Sequence, residues 1–557
     1  MFAYLLPSLI SAALGCSVQG VAPIVSTRDG VIVGTTSSVT GTTATVDKFL
    51  GIPFSEPPVG ERRWAVPQPP KKWLGGLYTT AFKPSCIQTF TPKSQRSFVE
   101  QIYNNPPPEE SEDCLYLNVW APSRPVAPSE PPRAVLFWLY GGGLRFGNAG
   151  QPMYDGSHFA ALENVIVVSV NYRTNVFGWP FFPAVTNLTE RNLGLLDQRL
   201  ALDWVQENIH AFGGDPKRVT IFGQSAGATS VDVLLTAYGR NSTPPFQAAI
   251  MMSGTYTWLP VANCNNTNYS AWNNFTGEIG CANATDQFAC AKTKPATLIK
   301  DVQETFSASG FSGQACDNIT FVSDPRLRRA SGNFAPVPVI SGTNVQDGSY
   351  YAIKAGSNVE KYMNATFNNR TELKAEILAA YPIGSEGRYD NLTQLTHIHT
   401  DWNFHCPALL LANDSTLHVP TYRYLYNATF PNTRITLPPS VVNSSNLTFP
   451  LEYQRAWHTS DIPLVFSTYE DLLFTPGAPI TPEEIALSNT MRGAWASFAK
   501  DPSKPPIEGW RTVRNGGEGE EADVMSFGVD GGAGVGLVKD TTGKCGVWKE
   551  FFEDMHF

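Results

Sequence analysis

Charge is scarce in this chain. Asp, Glu, Lys and Arg make up 16% of its 557 residues, the formal net charge is −9, and no basic cluster occurs. Nothing in it offers the positive footprint that a polyanion needs, so nucleic acid is excluded as an expected partner. Long apolar runs are equally few. Beyond the N-terminal stretch no segment approaches the roughly 20 apolar residues that cross a bilayer, so no membrane span is expected. There is no internal repeat, heptad run or long Ser/Pro linker, which excludes solenoids and coiled coils. The nine cysteines include no Cys-x-x-Cys pair, so zinc-ribbon and thioredoxin-like chemistry are not expected. His397 and His399 form a His-x-His pair without a carboxylate or Cys cluster at ligand spacing. They read as surface histidines, and no metal or cofactor is expected.

What is present points to the secretory route. Phe2 to Leu14 is apolar and is followed by small residues, which predicts a signal peptide over 1–20 with cleavage after Gly15 or Gly20, although Lys and Arg are missing ahead of it. Fourteen Asn-x-Ser/Thr sequons follow: Asn187, Asn241, Asn265, Asn268, Asn274, Asn283, Asn318, Asn364, Asn369, Asn391, Asn413, Asn427, Asn443 and Asn446. This density predicts N-linked glycans. Removing Cys16 with the signal leaves an even set of cysteines, as a secreted disulfide framework requires; cleavage after Gly15 would leave one thiol over. The expected location is extracellular.

Hydrophobic residues make up 42% of the chain, enough for a large core. Up to about residue 255, strand-like and helix-like segments alternate. Ala134 to Leu139 and Val165 to Val170 are continuous apolar runs, Leu193 to His210 has helical spacing, and Val219 to Phe222 is the next strand. Such runs between helices predict a buried, mostly parallel sheet. Residues from about 256 to 330, rich in Asn, Thr, Cys and sequons, read as a glycosylated insertion in one catalytic domain spanning 21–557.

The chemistry centres on Gly223-Gln224-Ser225-Ala226-Gly227. It lies between a strand and a helix-compatible run beginning near Ala228, the context of a nucleophile elbow. The glycines make room where the chain reverses tightly, Ser225 projects from the turn, and the Ala226 N–H lies at a helix N-terminus facing a developing oxyanion. Upstream, Tyr140-Gly141-Gly142-Gly143-Leu144 follows a strand. It matches neither Gly-x-Gly-x-x-Gly nor a P-loop, and reads as the rest of an oxyanion hole, with Gly142 and Gly143 donating.

These stretches, with Ser111–Asn118, Phe212–Pro216, Met252-Ser253-Gly254, Gly342–Gly348 and Ala456–Pro463, resemble the type-B carboxylesterase/lipase family, which includes cholinesterases and secreted fungal lipases. The resemblance implies an α/β-hydrolase fold: a large central, mostly parallel sheet flanked by helices, with inserted loops forming a gorge. It implies Asp347 as the acid, where the family usually has Glu, and His458 as the base, completing the order Ser225, Asp347, His458. It also implies disulfides between Cys86 and Cys114, closing the loop over the gorge, between Cys281 and Cys290, and between Cys406 and Cys545. Cys264 and Cys316 then pair by elimination.

Two departures bear on the substrate pocket, which is expected to include Gln224 and Leu144. The loop from Ile87 to Asp113 has no Trp to hold a quaternary ammonium; Asn104 falls near that position. Gln224 stands where the family commonly has Glu. Both disfavour choline esters. The same loop is short, polar and broken by Pro106-Pro107-Pro108, which predicts a gorge rim rather than an interfacial lid. The expectation is a secreted esterase that acts through an acyl-enzyme on neutral small-molecule esters with short-to-medium acyl groups. The alternatives are a lipase or sterol esterase, and a non-catalytic cholinesterase-like adhesion or scaffold protein.

Overall fold

The apolar runs read from the sequence become the strands of one sheet. A computed structural model describes residues 22–90, 93, 96–257, 264, 268–305, 315–355, 358–368, 370–384, 390–434, 456–471, 477–513, 523–529, 531–539 and 544–554. The expected signal peptide lies outside the described residues.

The strands in chain order are β1 (Ile24–Ser26), β2 (Val31–Val33), β3 (Thr35–Ser38), β4 (Thr45–Pro53), β5 (Gly76–Tyr78), β6 (Tyr116–Pro122), β7 (Arg133–Leu139), β8 (Ile166–Val170), β9 (Gly214–Gln224), β10 (Ala248–Met252), β11 (Val339–Asn344), β12 (Thr421–Tyr426), β13 (Asp523–Val529) and β14 (Gly534–Lys539). β1, β2 and β5 form a small separate sheet, and the other 11 strands form the main one, in the order β14-β13-β12-β11-β10-β9-β7-β8-β6-β4-β3. The run from β8 to β13 is parallel throughout, while β3, β4, β6 and β14 pair antiparallel at the two edges. Every residue of β7, β8, β10, β11 and β12 is buried. A parallel strand covered on both faces has no solvent side to mark with alternating polar residues, which explains the apolar runs of β7, β8 and β10; β11 (VISGTN) and β12 (TYRYLY) are as deeply buried but carry polar and aromatic side chains, so their sequences show no such run. The expected α/β-hydrolase fold is the observed one.

Parallel pairing brings the C-terminal ends of β7, β9, β10 and β11 to a single edge of the sheet, the edge where open α/β sheets bind ligands. The Gly141–Gly143 segment leaves β7 there, Ser225 leaves β9, and Asp347 lies three residues beyond β11.

The helix expected over Leu193 to His210 runs Leu193–Asn208 and closes in a 3₁₀ turn, Ile209–Phe212, with Gly213 left-handed after it. The region from about 256 to 330 carries more order than its composition suggests. It holds helices Ser270–Glu278, Gln287–Lys292, Ala296–Thr305 and Pro325–Ala330. Trp272, Phe275, Ile279, Ile299 and Val302 close a second apolar cluster with Trp64, Phe177 and Phe182. Its polar surface concealed this core, because short amphipathic helices expose most of their residues. Among the sequons, Asn187, Asn241, Asn268, Asn274, Asn283, Asn318, Asn364 and Asn391 are exposed, and Asn413 and Asn427 are half-buried. Asn265, Asn369, Asn443 and Asn446 lie outside the described residues.

Four disulfides join Cys86 to Cys114, Cys264 to Cys316, Cys281 to Cys290 and Cys406 to Cys545. The loop closed by Cys86 and Cys114 is held from below by the helix Ala296–Thr305. Glu304, buried, accepts from Phe90 N at 3.0 Å and from Arg96 Nη2 at 2.6 Å, and Lys300 Nζ donates to Glu110 at 2.6 Å. These contacts tie Phe90, Arg96 and Glu110 of the loop to one helix. Replacing Cys86 and Cys114 together by Ala should lower stability by about 3.5 kcal/mol, the chain-entropy value for a loop of this length. Urea unfolding of the double variant measures it, and an unchanged midpoint would show that the ion pairs hold the rim without the disulfide.

Candidate active site

At Ser225 the backbone adopts φ 56° and ψ −125°, a left-handed conformation rare for a side chain with a Cβ. Such a residue persists only where its surroundings over-determine it, at a cost of about 1–3 kcal/mol. Ser225 N donates to Met252 O at 2.9 Å, and the helix Ala226–Ala237 begins at the next residue, two positions earlier than its sequence pattern suggests. The flanking glycines are required by close approach. A Cβ on Gly227 would strike the Leu139 carbonyl of β7, and one on Gly223 would lie 2.6 Å from the Gly227 carbonyl carbon.

His458 and Asp347 face each other behind this turn. His458 Nδ1 lies 2.8 Å from Asp347 Oδ1, with Asp347 fully buried and His458 3% exposed. Asp347 Oδ2 accepts from Asn344 N at 2.8 Å. The two loops are stitched together: Gln346 N donates to Ala456 O at 3.2 Å, and Asn344 Nδ2 to Trp457 O at 2.8 Å. The Phe404 ring packs 4.7 Å from the imidazole. With Nδ1 donating to the carboxylate, Nε2 presents its lone pair toward the pocket. Its neighbour there is the Gln224 amide nitrogen, 3.2 Å away.

Gly142, Gly143, Ser225, Gln224 and His458 line a single cavity. Gly142 and Gly143 have φ of 108° and 60°, backbone conformations that favour glycine. No hydrogen bond among the described residues occupies the N–H of Gly142, Gly143 or Ala226.

Three expectations need correction. Leu144 is not among the residues lining the cavity. It is buried in the main core, and its carbonyl accepts from Asn175 N at 2.7 Å and Trp179 Nε1 at 3.2 Å. Its left-handed backbone turns the side chain inward, and Arg145 takes the place in the cavity wall. Asn104 does not face the substrate space either. It is buried, accepting from Asn148 Nδ2 and Gln151 Nε2, both at 2.9 Å, and the rim residue lining the cavity is its neighbour Tyr103. The cavity therefore keeps an aromatic wall despite the missing Trp. Finally, His399 is no surface histidine. It stacks on Tyr351 with ring centroids 4.0 Å apart, and its Nδ1 lies 2.5 Å from the Tyr362 hydroxyl. Burial first, and the His458 ring second, pull it down to about 3, so it stays neutral. Among the described residues no group of three or more His, Cys, Asp or Glu could hold a metal ion, and no helix is long and apolar enough to cross a membrane.

The model of the carboxylesterase family matches residues 21–531. The chain belongs to the carboxylesterase family. It is 33% identical over 513 residues to the acetylcholinesterase of Bungarus fasciatus, covering 86% of this chain and 79% of that one. It is 32% identical to the para-nitrobenzyl esterase of Bacillus subtilis (strain 168), covering 86% of this chain and 89% of the relative. It is also 32% identical to the cocaine esterase of Homo sapiens, covering 88% and 86%. As a carboxylesterase-family member the chain is an ester hydrolase, built on the fold described above.

In this family member a second carboxylate lies under the first, which sequence reasoning treated only as part of a motif. Asp461, fully buried, accepts from Asn344 Nδ2 at 3.2 Å and Tyr424 OH at 3.1 Å. Burial, reinforced by the charge of Asp347, pushes it from an ordinary 3.8 up to about 6. The folded state thus holds this proton more tightly than the unfolded chain does. Its contribution is most favourable below pH 4 and is lost as pH rises through 6. Asp461→Asn should gain stability relative to the wild type across that window, by roughly 2–3 kcal/mol at pH 7.5 compared with pH 4. Urea midpoints at several pH values measure the difference, and a difference that stays flat with pH would contradict it.

Proposed function

We propose that this carboxylesterase-family chain hydrolyses carboxylic esters through Ser225, His458 and Asp347 by way of an acyl-enzyme. The observation that carries the reading is the buried 2.8 Å Nδ1···Oδ1 pair of His458 and Asp347, with His458 lining the same cavity as Ser225 on its strained turn. In this reading His458 Nε2 leaves the Gln224 amide and takes the Ser225 Oγ proton as Oγ attacks the ester carbonyl. The carbonyl oxygen becomes an oxyanion and accepts from the N–H groups of Gly142, Gly143 and Ala226, each such donor being worth about 2.7–4 kcal/mol. His458 returns the proton to the departing alcohol. Water then attacks the acyl-Ser225 ester with His458 again as base, which releases the acid and restores the hydroxyl. Asp347 orients the imidazole and stabilises its charged form, the part that Asp performs in many triads.

Selectivity follows from the cavity wall. Gln224 carries no charge beside the reacting centre, and the aromatic wall at Tyr103 comes with Arg145 and Lys354 rather than with a carboxylate. A cationic choline ester would meet repulsion, whereas uncharged short-to-medium acyl esters fit. The clamped rim favours soluble esters over an oil interface. The lipase alternative would require a movable lid, and the scaffold alternative leaves the three convergent groups without a use. Secretion as a glycoprotein is part of the proposal, supported by the four disulfides and the exposed sequons.

Expressed with its own N-terminus in a eukaryotic host, the wild type should reach the medium as a glycoprotein, react with a fluorophosphonate at Ser225, and turn over butyl butyrate faster than butyrylcholine. Ser225→Ala should reach the medium at the same level with kcat reduced about four to six orders of magnitude. Near-normal turnover by the variant would remove the mechanism, a preference for butyrylcholine the selectivity, and retention inside the cell the secretory part.

A further inference from the structure

The Gly141–Gly143 segment runs on to a cation that pairs with nothing among the described residues. Arg145 has its backbone tied down: its N donates to Gly142 O at 3.1 Å, and its carbonyl accepts from Thr89 N at 3.0 Å and Asn175 Nδ2 at 3.2 Å. The side chain lines the cavity and is half-buried, and its Nε lies 3.7 Å from where a Cβ on Gly143 would stand. Among the described residues no hydrogen bond or ion pair occupies its guanidinium. Other sheltered arginines of this chain are matched: Arg63 donates to Glu112 at 2.5 Å, Arg173 to Asp197 at 2.8 Å, and Arg492 to Glu163 at 3.0 Å. A half-buried guanidinium has five donors, and those not engaged by the protein are open to an acceptor that a ligand supplies.

A second cation lines the same cavity. Lys354, at the end of the helix Ser349–Lys354, also lines the cavity at its exposed mouth. Partial desolvation, then the charge of Arg145, pushes it down to about 8, which still leaves it mostly protonated at neutral pH. Tyr350 lines the same cavity, and burial pushes its hydroxyl up to about 12, so it remains a donor. The Tyr103 hydroxyl is buried without a hydrogen-bond partner among the described residues. No Asp or Glu lines the cavity among the described residues. Asp347 is on the far side of His458, and the residue before the nucleophile is the neutral Gln224.

Two cations, neutral phenolic donors and no acid, all within the cavity that holds Ser225, make an anion subsite beside the reacting centre. We propose that the preferred substrates are carboxylic esters that themselves carry a carboxylate, held by the Arg145 fork with Lys354 adding charge from the mouth. The proposal rests on the hydrolytic reading above and narrows it. Uncharged esters remain substrates, but they leave Arg145 unmatched.

The test compares isosteres. One pair places the group on the acyl side, the mono-4-nitrophenyl ester of adipic acid against its terminal primary amide. A second places it on the alcohol side, the butyrate ester of 4-hydroxyphenylacetate against that of 4-hydroxyphenylacetamide. Because amide and carboxylate match in size, the ratio of kcat/KM within a pair reads charge alone. In at least one pair the carboxylate should be favoured about tenfold or more, as a contact between partly desolvated charges implies. Arg145→Met should bring that ratio down to near one, Arg145→Lys should keep part of it, and Lys354→Met, at the exposed end of its helix, should lower it independently. Ratios at or below one in both pairs, with Ser225 still labelled by a neutral fluorophosphonate, would overturn the anion subsite and leave the hydrolytic reading standing. A high ratio unaltered in Arg145→Met and Lys354→Met would overturn it equally. Absence of both labelling and turnover would remove the hydrolytic reading and the subsite with it.

Discussion

The site depends on a crossing of two backbones. The helix that starts at Ala226 passes so close to the end of β7 that the Leu139 carbonyl occupies the space of a side chain at position 227. Only glycine permits that approach, and the approach forces the turn that places Ser225 at φ 56°. The parallel order β7-β9-β10-β11 then brings the oxyanion segment and the Asp347 loop to the same edge. Everything proposed about the reaction uses this geometry: a hydroxyl raised out of the sheet, unfilled amides on either side of it, and an imidazole backed by a buried carboxylate. The main-chain strain at Ser225 is sustained by the size of the core around it, in which β7, β8 and β10 are buried along their whole length.

Much of this was legible in the sequence, for definable reasons. A tight turn demands Gly at fixed offsets from Ser225, so it leaves a local signature. A parallel strand buried on both faces is commonly apolar along its length, so Ala134 to Leu139 and Val165 to Val170 announce themselves, whereas the equally buried β11 and β12, with Ser341, Thr343, Arg423 and their tyrosines, do not. The loops bearing Asp347 and His458 were found through resemblance rather than periodicity. Their meeting is tertiary, made by Gln346 to Ala456 and Asn344 to Trp457 across more than a hundred residues.

What escaped the sequence has a common cause. Leu144 and Arg145 are neighbours, and which of them faces the cavity depends on a left-handed turn at 144 and on the Asn175 and Trp179 donors that hold its carbonyl. No pattern within the Gly-rich segment carries that information. Asn104 and Tyr103 exchange places for a similar reason, because a buried amide network involving Gln88, Asn148 and Gln151 draws the Asn inward. His399 is inside because aromatic rings from two helices enclose it. The net charge of −9 gave no hint that the reacting cavity is lined by cations, since total charge says nothing about where each sign collects.

The central claim is that the hydrogen bond between His458 and Asp347 sets the tautomer and aim of the base that serves Ser225. Steady-state kcat for Asp347→Asn on an uncharged 4-nitrophenyl ester tests it most directly, with thermal unfolding run alongside. A folded enzyme with kcat lower by about 10⁴ is expected, because an amide at this position favours the wrong tautomer. A folded Asp347→Asn enzyme within about tenfold of the wild type would contradict it.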